Sequence, residues 1–226
     1  MKLLSSSWKE PSSPPRGTSR NASHHHRPPR HEFLMTEVTL APVTDSLRRR
    51  AVEQGWFRDE TQNRKRGFGK GARSVLAATQ AFGELLERAK AGDPSVALLG
   101  IYEGSNPVGY FVTSYLGESR RAVQFDLMIE DLQAREGSAR VALRDLLEIL
   151  FSETDRAIFR VQAEVLSTRK GFITLLRENG FTQEGIHQRA LWVDGDSYNT
   201  VALRLLRPDW VKMQKETEIT DGPEPS

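Results

Sequence analysis

Residues 122–151, AVQFDLMIEDLQAREGSARVALRDLLEILF, decide the fold, because the period of their apolar residues changes once within the stretch. Val123, Phe125, Leu127 and Ile129 recur at every second position, which sets them on one face of a strand with Gln124, Asp126 and Met128 on the other. From Gly137 onward the spacing becomes three and four, through Ala139, Ala142, Leu143, Leu146, Leu147 and Leu150, a stripe along an α-helix. The stretch therefore reads as a strand, a turn containing one glycine, and a helix. The first N–H groups of such a helix have no partner inside it and point at whatever lies above the end of the strand, a seat suited to an anion such as phosphate. Many α/β proteins use this connection and bind nothing there, so the chain around it has to decide.

The 226 residues suffice for one domain of ordinary size with tails, and 38% of them are hydrophobic, enough for a core. There is no cysteine, which excludes disulfides, a thiolate nucleophile and every cysteine-based zinc or iron–sulfur site. No run approaches the roughly 18 to 20 apolar residues that span a bilayer, and the serines and prolines after Leu4 leave no secretory apolar region. The expectation is a soluble, cytoplasmic protein with no membrane partner. Residues 1–34 hold six Lys and Arg against two Glu, a net of +4, so the whole-chain +2 leaves −2 for residues 35–226. The basic character sits in the tail, and nucleic acid is not an expected partner of the folded part. Ser, Pro, Arg and four of the five histidines dominate residues 1–34, a composition that reads as disordered. His24, His25 and His26 lie side by side on that tail without fixed ligand geometry, and no metal site is expected.

Outward from the central stretch, Thr36–Val43 alternates β-branched residues with others, and Thr44–Asp45–Ser46 can cap a short helix over Leu47–Gln54. Residues 55–73, GWFRDETQNRKRGFGKGAR, have no apolar period. Six basic residues from Arg58 to Arg73 against Asp59 and Glu60 make this loop either a solvated charge run or a contact for an acidic acceptor. Its Gly67-x-Gly69-x-Gly71 follows no strand and lacks the Walker spacing of a phosphate loop. A helix over Ser74–Ala91 leads into strands Val96–Tyr102 and Val108–Tyr115, joined by the turn residues of EGSNP, so that three consecutive strands form an antiparallel meander. Beyond the central helix come a strand over Ala157–Leu166, a helix over Lys170–Glu178 closed by Asn179–Gly180, and strands Phe181–Val193 and Tyr198–Leu206 around Asp194–Gly195–Asp196. Residues past Trp210 are expected to fade into a charged tail. The division is then a tail over 1–34, a domain over 35–211 and a disordered acidic tail over 212–226.

This order of elements, together with residues 173–210 (ITLLRENGFTQEGIHQRALWVDGDSYNTVALRLLRPDW), resembles the GNAT superfamily of acyl-CoA-dependent N-acyltransferases. The likeness is greatest to its branch that acetylates ribosomal-protein N-termini and aminosugars, and it rests on Leu175–Leu176, Gly180–Phe181, Glu184–Gly185, Tyr198 and Asp209–Trp210. For the fold the resemblance implies a mixed α/β, largely antiparallel seven-stranded sheet with helices on both faces, splayed between its fourth and fifth strands. For chemistry it implies acetyl-CoA as co-substrate and transfer of the acetyl group to a primary amine, on a protein N-terminus or a small molecule. The pantetheine arm would lie in the splay along the backbone of Leu127, Met128 and Ile129. The pyrophosphate would lie over Gly137, Ser138 and Ala139, with Gln133 and Arg135 flanking it and Arg169 available to a phosphate. This chain departs from the family at Ala134, where the loop usually has Arg or Gln, and at Phe172, where the branch commonly has Ser. Glu130, Asp131 and Glu136 add negative charge, unfavourable to an anion by about 1 kcal/mol per close pair even in a watery dielectric.

Amine attack on a thioester requires a positioned acceptor, a proton sink and a polarised carbonyl. Asp126 is the first candidate for the proton, directly or through a water, with an ordinary exposed carboxylate as the equal alternative. Glu103 at the end of the second strand and Glu164 on the fifth are further carboxylates. Tyr198 is a candidate phenolic donor or a packing residue, and His187, the only histidine in the domain, reads as a surface residue. The competing function is a GNAT-fold binding module without catalysis, associated with a ribosome or RNA. Monomer and homodimer are both compatible with the sequence.

Overall fold

The computed structural model describes residues 37–54, 56, 75–93, 96–117, 121–152, 158–193 and 196–220. The expectations for the 1–34 tail, the Arg58–Arg73 loop and the Asp194–Gly195 turn lie outside these residues. In chain order the elements are β1 (Val38–Pro42), α1 (Asp45–Glu53), α2 (Val75–Lys90), β2 (Ala97–Glu103), β3 (Asn106–Leu116) and β4 (Ala122–Ile129). They continue with α3 (Glu136–Ser152), β5 (Arg160–Leu166), α4 (Lys170–Glu178), β6 (Thr182–Val193), β7 (Asp196–Leu206) and α5 (Arg207–Thr220). The sheet order is β1-β2-β3-β4-β5-β7-β6, antiparallel throughout except for the parallel pair β4–β5. This is the mixed, GNAT-like sheet that the sequence implies.

The alternation in β4 divides the interior into two cores. Val123, Phe125, Leu127 and Ile129 are buried against Leu143 and Leu147 of α3 and Phe172 and Leu176 of α4. Phe125 is the hub, with the rings of Phe111, Phe172 and Phe181 at 5.9, 6.4 and 5.8 Å. On the opposite face Met128 and Val112 pack with Tyr110, Phe82 of α2 and Leu47 of α1. Helices therefore cover both faces. Thr44 caps α1 as its position suggests, its hydroxyl accepting from the Leu47 N–H at 3.3 Å.

The C-terminal region corrects one expectation. Instead of fading beyond Trp210, the chain continues as α5 to Thr220. Pro208 lies in the first turn, where its missing N–H leaves no bond unmade. Trp210 rests on Phe151 of α3 at 5.2 Å, and Met213 covers Gly180 so closely that a Cβ there would meet its sulfur. From this helix Trp210 and Met213 pack against the core cluster, among polar and charged neighbours.

Candidate active site

The fourth and fifth strands pair for three residues only, Ala122↔Arg160, Val123↔Val161 and Gln124↔Gln162, although both strands run on. Beyond Gln124 they part. Which β4 groups face the split follows from the ladder: the Glu130 N–H bonds to the Val108 carbonyl at 2.9 Å, and backbone direction reverses at each residue of a strand. Glu130, Met128 and Asp126 thus turn their backbone groups to β3, while Leu127 and Ile129 turn theirs to the split. Of the three residues expected to hold an arm by their backbone, Met128 is directed to the wrong neighbour.

The Leu127 edge is already engaged. Its N–H donates to Asp126 Oδ1 at 2.9 Å, and its carbonyl accepts from Arg169 Nη2 at 3.1 Å. Arg169 Nη1 lies 3.4 Å from Asp126 Oδ1, and its guanidinium carbon lies 4.8 Å from the centre of the Phe172 ring. Arg169 immediately precedes α4 but makes no side-chain cap to it. Its side chain is placed across the split, between Phe172 on the α3–α4 face and Asp126 on the other.

Glu164 stands opposite Asp126. The parallel register sets Gln124 against Gln162, whose side chains bond across at 3.3 Å, and two residues further along each strand the same face presents Asp126 and Glu164. The two carboxylates flank the mouth of the split with different partners. Asp126 faces Arg169, whereas Glu164 accepts from the hydroxyl of buried Thr200 on β7 and lies 3.4 Å from Nδ1 of exposed His187 on β6. Strand β6 bulges here, between His187↔Thr200 and Leu191↔Tyr198, with Arg189 at φ 50° and its N–H held by Asn199 Oδ1 at 2.8 Å. Tyr198 shares the Thr200 face, two residues earlier on β7. The cluster of Glu164, Thr200 and His187 is the part that sequence reading left scattered, because only the β5–β7–β6 register brings it together.

Glu103 is elsewhere. At the end of β2 it accepts from Arg135 and, at 2.7 Å, from the Ser138 hydroxyl at the start of α3. The hydrogen bond from Arg135 holds its carboxyl below the usual carboxylate range, against the opposing effect of burial. It is an ionised structural group, not a base poised near neutrality. Arg135 also lies 3.7 Å from Glu130, which Arg50 of α1 holds at 2.7 Å. Asp131 takes the left-handed conformation, φ 44°, and its carboxylate accepts from the Ala134 N–H at 3.1 Å. The acidity of this loop therefore shapes the turn and binds basic neighbours.

An acyl-CoA fits this framework in its donors. Along the split the backbone groups of Ile129, and those of Leu127 once Asp126 and Arg169 release them, would face an extended, amide-bearing arm. A Cβ on Gly137 would meet nothing within 4 Å, so backbone can be approached closely at the start of α3. The N–H groups of Gly137 and Ser138 fall in the first turn, outside the intrahelical ladder, whereas the Ala139 N–H bonds to the Arg135 carbonyl at 2.9 Å. Gln133 is exposed beside them. Glu103 competes with an incoming anion for Arg135 and Ser138. Among the described residues no group of three or more potential ligands gathers for a metal ion, and no helix is long and apolar enough to cross a membrane.

No family model matches the chain, and no curated protein sequence matches it. Solved structures do. A chimera of the spermidine N-acetyltransferase SpeG from Vibrio cholerae and hSSAT superposes with TM-score 0.59 at 14% identity, covering 77% of this chain and 98% of that one. Mutant forms of the V. cholerae spermidine/spermine N-acetyltransferase SpeG give 0.59 at 13%, over 78% and 99%. A further structure, to which acetyltransferase activity is ascribed, gives 0.61 at 16%, over 83% and 92%. At such identities the likeness is one of fold: the chain has the GNAT-like architecture of these N-acetyltransferases.

Proposed function

We propose that the protein is an N-acyltransferase that moves an acetyl group from acetyl-CoA to a primary amine on a protein N-terminus or a small molecule. The observation that supports this most is the split, where β4 and β5 pair over three residues and then part, with the Leu127 and Ile129 edge along it and the start of α3 at its mouth. The N-acetyltransferase activities of the structural neighbours support the same reading. Acetyl-CoA would supply the thioester carbonyl. Leu127 and Ile129 would orient the arm by their backbone groups, and Arg135, Ser138 and the Gly137 N–H would hold the diphosphate, favoured by the helix dipole. Glu164 would take the amine proton, with His187 passing it to solvent, while Asp126 remains tied to Arg169. Residues 35–211 form the acyltransferase domain in this reading, extended by α5, in a cytoplasmic setting, and an acidic acceptor would meet the Arg58–Arg73 loop. Calorimetric titration with acetyl-CoA tests the proposal: saturable binding is expected, and no heat at millimolar cofactor would overturn it.

The second reading, a GNAT-fold binding module without catalysis, draws on the engagement of Asp126 by Arg169 and of Glu103 by Arg135, and on Phe172, which cannot donate a proton. CoA release with any member of a panel of amines would exclude it.

A further inference from the structure

We propose that Arg169 selects the acyl group, holding the terminal carboxylate of a short dicarboxylic acyl thioester, so that the chain prefers a succinyl-type donor to an acetyl donor. The inference rests on the acyltransferase reading above and names the donor class for the same site.

The location comes first. An arm that enters from the start of α3 meets Ile129 and then Leu127, the next residue whose backbone faces the split, so its acyl end lies beside Leu127. Arg169 Nη2 sits there, 3.1 Å from the Leu127 carbonyl. The side chain is largely withdrawn from water, 22% exposed, and its guanidinium carbon lies 4.8 Å from the centre of the Phe172 ring. A methyl group pressed against such a cation would remove further hydration and give nothing in return. A carboxylate would form charge-assisted hydrogen bonds with it.

Two of the contacts that Arg169 makes bear on the exchange: Nη2 holds a neutral peptide carbonyl, a weaker acceptor than a carboxylate, and Nη1 lies 3.4 Å from Asp126 Oδ1. A planar guanidinium presents donors along more than one edge, so it can bridge two carboxylates. A carboxylate drawing Nη2 away releases the Leu127 carbonyl to accept from an amide N–H of the arm. Donor recognition and arm binding would be coupled in this way, whereas the arm of an acetyl thioester has to displace Arg169 from that carbonyl without a carboxylate to draw it away, and binds more weakly. In the transfer the amine nitrogen bonds to the thioester carbonyl carbon, the C–S bond breaks, and the thiolate leaves and takes up a proton. The terminal carboxylate is unchanged.

Binding without an amine present tests this apart from turnover. CoA, acetyl-CoA and succinyl-CoA are titrated calorimetrically into the wild type, Arg169→Gln and Arg169→Lys, with thermal melts to establish folding. The wild type is expected to bind succinyl-CoA at least tenfold more tightly than acetyl-CoA, Arg169→Gln to lose that preference, and Arg169→Lys to keep part of it. Equal affinities in the wild type, or a preference that survives in Arg169→Gln, would overturn the inference while the binding of CoA itself left the acyltransferase reading standing. Failure of CoA and of both its thioesters to bind would overturn both.

Discussion

Asp126 and Glu164 occupy equivalent positions on parallel strands, yet a guanidinium faces one and a hydroxyl and an imidazole face the other. A carboxylate beside a guanidinium is a poorer proton acceptor than one beside an exposed imidazole that can pass the proton on. Glu164→Gln should therefore lower kcat by roughly 10²- to 10⁴-fold with acetyl-CoA affinity unchanged, and Asp126→Asn should cost far less; steady-state kinetics with calorimetry of each variant decides between them. Glu103 lends itself to a different experiment. Its folded-state pKa is lowered, so the stability it contributes is present above its ordinary value and is lost as pH falls through the lower folded value. Glu103→Gln should melt below the wild type at neutral pH, with the gap closing in strong acid. Because the same substitution releases Arg135 and Ser138, it should also tighten CoA binding several-fold at neutral pH, a combination of lower stability and higher affinity that titration and melting together would detect.

At the level of the elements, β3 presses on the backbone of β4 through a glycine. A Cβ on Gly109 would lie 2.4 Å from the Met128 carbonyl and 2.9 Å from the Ile129 Cα, both backbone atoms that cannot swing aside. Gly109→Ala should thus destabilise the protein by about 1–3 kcal/mol and disturb the split edge, read as a lower urea midpoint together with weaker CoA binding. The elements most legible in the sequence carry their own local signals. Helix α4 keeps its expected bounds because Phe172, Ile173, Leu175 and Leu176 mark its buried face and Gly180, at φ 82°, ends it. Strand β4 keeps its alternation for the same reason. Helix α5 escaped because Trp210, Val211, Met213 and Ile219 fall among polar and charged residues without making a stripe; Trp210 and Met213 meet Phe151 and Gly180, which are distant in sequence. Strand and helix periods place Leu127 and Ile129 on a strand and Gly137 at a helix start, and only the family resemblance gives them a part in binding; the Arg169–Asp126 contact and the grouping of Glu164, Thr200 and His187 depend on cross-strand register, which no spacing along one segment records.

Across the whole molecule the two ends of the sheet are separate in role. The mouth lies at the C-terminal ends of β4 and β5, whereas α5 leaves β7 at Leu206, which pairs with Arg160 at the opposite end of β5. There the Arg207 N–H bonds to the Phe159 carbonyl at 2.9 Å, anchoring the helix next to the start of β5. Trp210 and Met213 then close the core over Phe151 and Gly180. Stability invested at that end should be separable from binding at the other, since the intervening strands are paired and packed. Trp210→Ala, which removes a half-buried indole, should lower unfolding free energy by about 2 kcal/mol, below the 3–5 kcal/mol of a fully buried aromatic. Calorimetry at a temperature where the variant is fully folded should return the wild-type affinity for acetyl-CoA. If the affinity fell with the stability, α5 would have to act on the split through the β5–β7 ladder, and the separation of the two ends would be wrong.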